Sequence, residues 1–226
     1  MARQRATQIV STISDEFEQF AAGQLMELAT GLRLATIEIG VQLTALKEVY
    51  NKANNSAPSK EALKSQTLRE TGIPVVTRAM FNGASRVSAL PKMIVDVRAL
   101  TEARVSAATT AVGAIDLVLN SGAGSPTLRH DRDKLADAAT EVECWTSLYF
   151  GPKAESVART LASRLNVAAY KGTTKIDDAK ELLKLLGDVI HGLGDAARTA
   201  DGVASELGKQ ARPAGQDDRG LAAVRL

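Results

Sequence analysis

Two histidines, His130 and His191, are the first residues to consider for chemistry, because imidazole serves as a general base and as a metal ligand. Neither lies at zinc-binding spacing from a second histidine or a cysteine pair, and neither follows a glutamate by three positions, as a di-iron carboxylate bundle requires. His130 lies among charged residues and is expected to be solvated, whereas His191 is expected to pack at the edge of a helix. We therefore predict no metal and no cofactor.

The cysteine and the glycine-rich turn are the other candidates for chemistry. Cys144 is the single cysteine, it lies in the aromatic segment EVECWTSLYF, and no histidine is near it in sequence. A buried structural thiol is expected there, rather than a nucleophile. Gly122 and Gly124 have the spacing that begins a dinucleotide-binding motif, but no strand precedes them and the third glycine is missing. The chain is predicted not to be an enzyme.

Positive charge is concentrated in residues 60–110, although the formal net charge of the whole chain is only +2. This segment holds eight basic and four acidic side chains. Separated arginines on a helical scaffold would bind a phosphate backbone, as a coat protein or nucleoprotein requires. A solvated bundle face is the alternative, because no aromatic side chains interleave and the arginines do not share one helical face. The candidate nucleic-acid contacts are Arg78, Arg86, Lys92, Arg98 and Arg104.

The composition indicates which elements position these residues. The chain has 226 residues, of which 45% are hydrophobic and only 4% aromatic, and alanine recurs in nearly every segment. This composition favours closely packed helices over a β-sandwich, which uses β-branched and aromatic residues. The predicted fold class is therefore all-α.

Two apolar stripes predict the two long helices. From Ala179 to Leu207 the apolar residues follow a strict seven-residue repeat, which is typical of a left-handed helix pairing. From Ile9 to Tyr50 the stripe has a period of about 3.7, so one long, heavily buried helix is expected. A second strip, formed by Leu34, Ile37 and Val41, lies beside the first. Because the two periods differ, the two helices are expected either to diverge or to have different partners. The candidate self-association residues are Leu182, Leu186, Val189 and Leu193.

Turn residues divide the rest of the chain. Residues 51–59 are predicted to form a loop, and helices are expected over residues 59–70, 75–89, 92–120, 127–150 and 152–170. Ser125 and Pro126 are expected to begin one helix, and Gly151 and Pro152 to separate two. The predicted architecture is an elongated bundle of about five to seven helices, two of them long. A single domain is expected over residues 1–208, followed by a disordered, flexible tail over residues 209–226.

The segment Val105–Leu128 carries only one charge, Asp116, in 24 residues. It is predicted to be a central helix that is covered on most sides and followed by a buried turn. In an α-helical pore-forming protein, a segment of this composition leaves the bundle and enters lipid. The acidic residues near the N-terminus interrupt any secretory signal, and no window is long and apolar enough to span a membrane. With one cysteine and no such signals, a cytoplasmic location is expected.

Without a catalytic constellation, the leading functional hypothesis is a structural helical protein that self-assembles through its long helices. The expected partner is a second copy of the chain, and a coat or nucleoprotein subunit would also bind nucleic acid through residues 60–110. The alternative hypothesis is a membrane-active, pore-forming protein that uses residues 105–128.

Overall fold

The computed structural model describes residues 2–55, 83–171 and 176–211, and the side chains of residues 8–55, 83–166 and 180–211. The described residues form helices joined by short turns, and no strand occurs among them. The predicted all-α fold class is confirmed. Residues 56–82 and 212–226 lie outside the described residues, and with them lie Arg78, the predicted helix over residues 59–70 and most of the predicted tail.

Six helical segments occur in the described ranges: α1 (Ala2–Asn55), α2 (Ala84–Ser88), α3 (Leu90–Asn120), α4 (Pro126–Phe150), α5 (Pro152–Lys171) and α6 (Ile176–Gln210). Single residues, Ala89 and Gly151, separate α2 from α3 and α4 from α5. When helices separated by a single residue are counted together, the described residues form four helices, rather than the five to seven that were predicted. The two predicted long helices, α1 and α6, are the longest of those described, with 54 and 35 residues.

Two helix boundaries follow the predicted turn chemistry. The Ser125 hydroxyl accepts a hydrogen bond from the Leu128 backbone N–H at 2.9 Å, so Ser125 caps α4 and Pro126 occupies its first position. Likewise, α4 ends at Phe150 and α5 begins at Pro152. Pro126 and Pro152 therefore both begin helices, where the missing N–H has no partner to lose.

Three other boundaries were wrong. Helix α1 continues through Asn55, although residues 51–59 were predicted to form a loop. Helix α3 begins at Leu90, before Pro91, because a proline in the first turn removes no intrahelical hydrogen bond. Helix α6 continues through Gln210, past the predicted start of the tail at residue 209. Each of these predictions took polar or proline residues near a helix end as a helix boundary, although the helix includes them.

The described residues belong to two compact units. Four of the helices contribute residues to both units, namely α1, α3, α4 and α6. The first unit draws on Met1–Leu34, Leu100–Cys144 and Ala200–Leu226, and the second on Ala35–Ala99 and Trp145–Thr199. The first core contains leucines of α1 and α4 and small residues of α3 and α6: Leu25, Leu28, Leu32, Ala108, Ala111, Leu128, Leu135, Ala200 and Ala204. The predicted single domain stays a prediction.

The second core is richer in large side chains. Its buried residues include Ile39, Leu46, Val97, Trp145, Phe150, Leu161, Leu165, Leu182, Leu186 and Leu193. The Trp145 indole N–H donates a hydrogen bond to the Ala196 carbonyl of α6 at 3.1 Å, and the Trp145 ring lies 5.1 Å from the Phe150 ring, between centroids. The indole N–H is thus satisfied although the ring is buried.

Candidate interaction surfaces

The residues considered for chemistry lie apart from one another in the part of the chain that the structure describes. No group of three or more His, Cys, Asp or Glu side chains that could hold a metal ion occurs among them. The His191 imidazole is 79% exposed, and its Nε2 lies 3.5 Å from Oδ2 of Asp195 on the same helix. Cys144 is also exposed, so the predicted buried thiol is wrong. The register of α4 turns Val142 and Trp145 towards the core and leaves Cys144 outside.

Each candidate phosphate-binding residue that the structure describes forms an ion pair with an acidic side chain. Arg98 lies 2.8 Å from Glu155, and the other three pairs are Arg86 with Glu48, Lys92 with Asp96 and Arg104 with Glu27. These carboxylates offset the positive charge of the four basic side chains, which the sequence alone did not show to be paired. Arg98 is also only 22% exposed in its side chain. Nucleic-acid binding through residues 60–110 stays a prediction.

The Arg98 side chain binds groups on two other helices. Its guanidinium donates to Glu155 at 2.8 Å and, at 3.4 Å, to the carbonyl of Phe150, the last residue of α4. A cation at a helix C-terminus is favourable, because the unpaired carbonyls there carry partial negative charge. Hydrogen bonds from Arg159 and then from Arg98 hold the pKa of Glu155 below its usual range. Arg98 therefore connects α3 to the corner between α4 and α5.

A second ionic cluster connects α1 to α2. Glu48 accepts hydrogen bonds from Lys52 and Arg86, which lower its pKa from 4.5 to about 2. The Gln42 side-chain amide also donates to the Arg86 carbonyl at 2.6 Å. Arg86 is thus held by two residues of α1, and its charge is largely committed to this contact.

The lowered pKa of Glu48 predicts acid sensitivity. Because its folded-state pKa is depressed, the stabilisation is present above pH 4.5 and is lost as the pH falls towards about 2. The urea midpoint of the protein should fall across this range, and that of Glu48→Gln should fall less. Glu141→Gln, at another exposed glutamate, is the control and should follow the wild type. Equal acid sensitivity in Glu48→Gln and the wild type would contradict the assignment.

The heptad seam of α6 packs inside the chain. Leu182, Leu186 and Leu193 are buried, with at most 6% of their surface exposed. Val189 is half-buried and lines a shallow groove with Leu148 of α4. The regular repeat of α6 therefore serves the second core, and most of the seam proposed for self-association is already covered within one copy.

The weakly charged segment has a solvent-exposed side. Ala108, Ala111 and Ile115 are buried, whereas Leu117 is 74% exposed, so the helix that was predicted to be covered on most sides has an outer face in solvent. Arg132 donates two hydrogen bonds of 2.9 Å to Asp116, and this pairing lowers the pKa of Asp116. None of the described helices has the length and hydropathy to cross a membrane. The membrane-active hypothesis stays a prediction.

An apolar face of α1 points away from the core. Leu34, Ile37 and Val41 are 45%, 63% and 66% exposed, so the expectation of a heavily buried helix was wrong on this side. Buried residues of the same helix, such as Leu32 and Ile39, lie on the opposite face, about half a turn away at 100° per residue. We call the residues Thr30, Leu34, Ile37, Val41 and Thr44 the outer seam. The sequence contained this signal as a second apolar strip, and only its exposure was missed.

Comparisons with known proteins give no further assignment. No protein-family model, no curated protein and no solved structure matches the chain. Its functional interpretation therefore depends on its own surfaces.

Proposed function

We propose that this protein is a non-enzymatic, structural helical protein that self-associates through a helix surface. The observation that carries the proposal is the outer seam of α1, where three large aliphatic side chains are exposed together. Scattered exposed apolar residues are ordinary on a protein surface, whereas apolar residues that share one face are typical of an interaction site. A second copy of the chain is the simplest partner for such a face.

The spacing within the outer seam supports a helix as the binding partner. Its five residues follow one another in steps of four and three, which is the seven-residue repeat of helix pairing. The seam ends where charges occupy the next positions of the repeat, at Glu27 and Glu48. Both glutamates form ion pairs with other helices of their own chain. The uncharged surface is therefore limited to about two heptads.

A coat or nucleoprotein role is a narrower form of this proposal. It requires phosphate binding by the basic residues 86–104 in addition to self-association. Lys92 is the most exposed of the described candidates, at 79% of its side chain, but it already binds Asp96. The surface of α1 therefore supports the general proposal better than these residues support the narrower one.

The proposal predicts that Ile37→Glu combined with Val41→Glu abolishes self-association. Sedimentation velocity of the wild type over several orders of magnitude of concentration should show reversible association. The double variant should remain a monomer, because two pairs of carboxylates would be desolvated in the interface. Circular dichroism should show unchanged helicity, since both side chains are exposed in the folded monomer.

The matched control is Leu117→Glu combined with Leu148→Glu. These leucines are 74% and 73% exposed, so the change in surface polarity is similar but lies on α3 and α4. This control should associate like the wild type. A wild type that stays monomeric at every concentration would overturn the proposed function, and loss of association in the control alone would move the interface away from α1.

A further inference from the structure

We infer that the outer seam of α1 binds the same seam of a second copy in a parallel, in-register pair, with Arg33 of each copy facing Glu38 of the other. This inference rests on the proposed self-association. It deepens that proposal by naming the surface, the orientation and the charged residues that select the partner.

The repeat assigns positions to the seam residues. In heptad notation, Leu34 and Val41 occupy a positions, and Thr30, Ile37 and Thr44 occupy d positions. Val41 is β-branched at an a position, which is typical of parallel two-stranded coils, whereas Leu34 at a with Ile37 at d is the pattern of higher oligomers. The core residues therefore do not select the pair by themselves, and the flanking charges carry the argument. In a parallel, in-register pair, each of the five residues meets its own copy, so every layer of the seam is covered.

The flanking positions determine whether two copies attract or repel each other. Arg33 occupies a g position and Glu38 the following e position of the partner helix, and both side chains are exposed. These are the positions whose charges pair across a parallel coiled coil. The two-fold symmetry of the pair produces the Arg33–Glu38 contact twice. Of the other flanking residues, Gly40 and Ala45 are small and uncharged and allow close approach. Lys47, at the last g position, faces Lys52 of the partner, whose charge is offset by Glu48 of its own chain.

Antiparallel pairing lacks this complementarity. In antiparallel coils, g positions face g positions and e positions face e positions. In one register Arg33 would face Lys47, and Glu38 would face its own copy, so like charges would meet. In the other register neither Arg33 nor Glu38 meets an opposite charge. Both antiparallel registers cover four seam layers instead of five, which favours the parallel pair.

The size of the surface predicts a weak pair. Two heptads with three large side chains expose much less area than the roughly 800 Å² per partner of a standard stable interface. Association should therefore be reversible and concentration-dependent, and it should weaken with added salt because the Arg33–Glu38 contacts are exposed to solvent.

Charge reversal tests the pairing in the full chain. Arg33→Glu alone and Glu38→Arg alone should each weaken self-association about tenfold, because two attractive contacts become repulsive. An equimolar mixture of the two variants should restore association to about the wild-type level. In the mixed pair, one contact joins the introduced glutamate to the introduced arginine, and the other joins the native Arg33 to the native Glu38. Sedimentation equilibrium of the separate and mixed variants measures all three dissociation constants.

Both variants also require a check of the monomer. Arg33 lies beside Gly208, and hydrogen bonding by Asp96, followed by weaker attraction from Glu38, raises the pKa of Lys92. Thermal denaturation followed by circular dichroism should show that each variant is folded at the assay temperature. Restoration in the mixture cannot arise from monomer defects, because each chain retains its own substitution.

A separate measurement reports orientation. In a Cys144→Ser background, Ile37→Cys should cross-link to its own copy in high yield, because d positions of parallel, in-register helices face each other. Exposed Leu148→Cys in the same background is the control and should cross-link poorly.

The outcomes separate the two proposals. A monomeric wild type overturns the proposed function and the inference together. If the wild type associates but neither charge reversal has an effect, the parallel pair is overturned and the proposed function stands. The same holds if Arg33→Glu strengthens association, as an antiparallel contact with Lys47 would produce. Weakening by both single variants without restoration in the mixture also overturns it.

Discussion

Trp145→Ala is expected to lower the free energy of unfolding by about 3–5 kcal/mol, the largest effect of any single substitution considered for this protein. The Trp145 ring is only 4% exposed, and it contacts the rings of Tyr149 and Phe150. Truncation would leave a cavity between α4 and α6 and remove the hydrogen bond to Ala196. Urea denaturation followed by circular dichroism measures the loss, since the substitution removes the only tryptophan.

Two further variants separate packing from hydrogen bonding. Trp145→Phe retains an aromatic ring but loses the indole N–H, so a smaller loss of about 1–2 kcal/mol is expected. Leu148→Ala, at a residue 73% exposed on the same helix, should change stability by less than about 0.5 kcal/mol. Equal losses for Trp145→Ala and Leu148→Ala would contradict the described packing of α4.

Local chemistry explains which parts of the fold were predictable. Ser125 with Pro126, and Gly151 with Pro152, delimit helices through residues adjacent in sequence, so no knowledge of the tertiary structure was needed. Likewise, the repeat from Ala179 to Leu207 predicted a long helix with a buried stripe, and α6 has both. Periodicity alone does not indicate whether that stripe packs within one chain or between two chains.

Exposure and charge pairing depend on contacts distant in sequence. Glu27 is 77 residues from Arg104 and Glu48 is 38 residues from Arg86, so neither ion pair has a local signal. Helix α1 has apolar residues on two faces, and its sequence does not determine which face the other helices cover. The α6 leucines are buried and the outer seam of α1 is exposed, so the candidate interaction surface is the outer seam rather than the predicted leucines.

Gly83 packs tightly against Val49 of α1, another contact between residues distant in sequence. A Cβ atom added at Gly83 would lie 2.6 Å from Cγ1 of Val49 and closer still to its Cγ2. Val49 is buried and cannot move aside freely. Because Gly83 has φ −97°, its backbone suits any L-residue. The penalty for alanine combines steric overlap with the poorer preference of alanine for the N-cap position, which Gly83 occupies in α2. Gly83→Ala is therefore expected to lower the free energy of unfolding by about 1–3 kcal/mol.

The control is Gly113→Ala on α3, where an added Cβ meets no atom within 4 Å and should raise stability by about 1 kcal/mol. The two substitutions add the same methyl group with opposite expected signs, so chemical denaturation distinguishes overlap from helix propensity. Combining Gly83→Ala with Val49→Ala removes the overlapping methyl groups, and the double variant should lose less than the sum of the single losses. Additive losses, or a Gly83→Ala variant as stable as the wild type, would show that α1 and the N-terminus of α2 are farther apart than described.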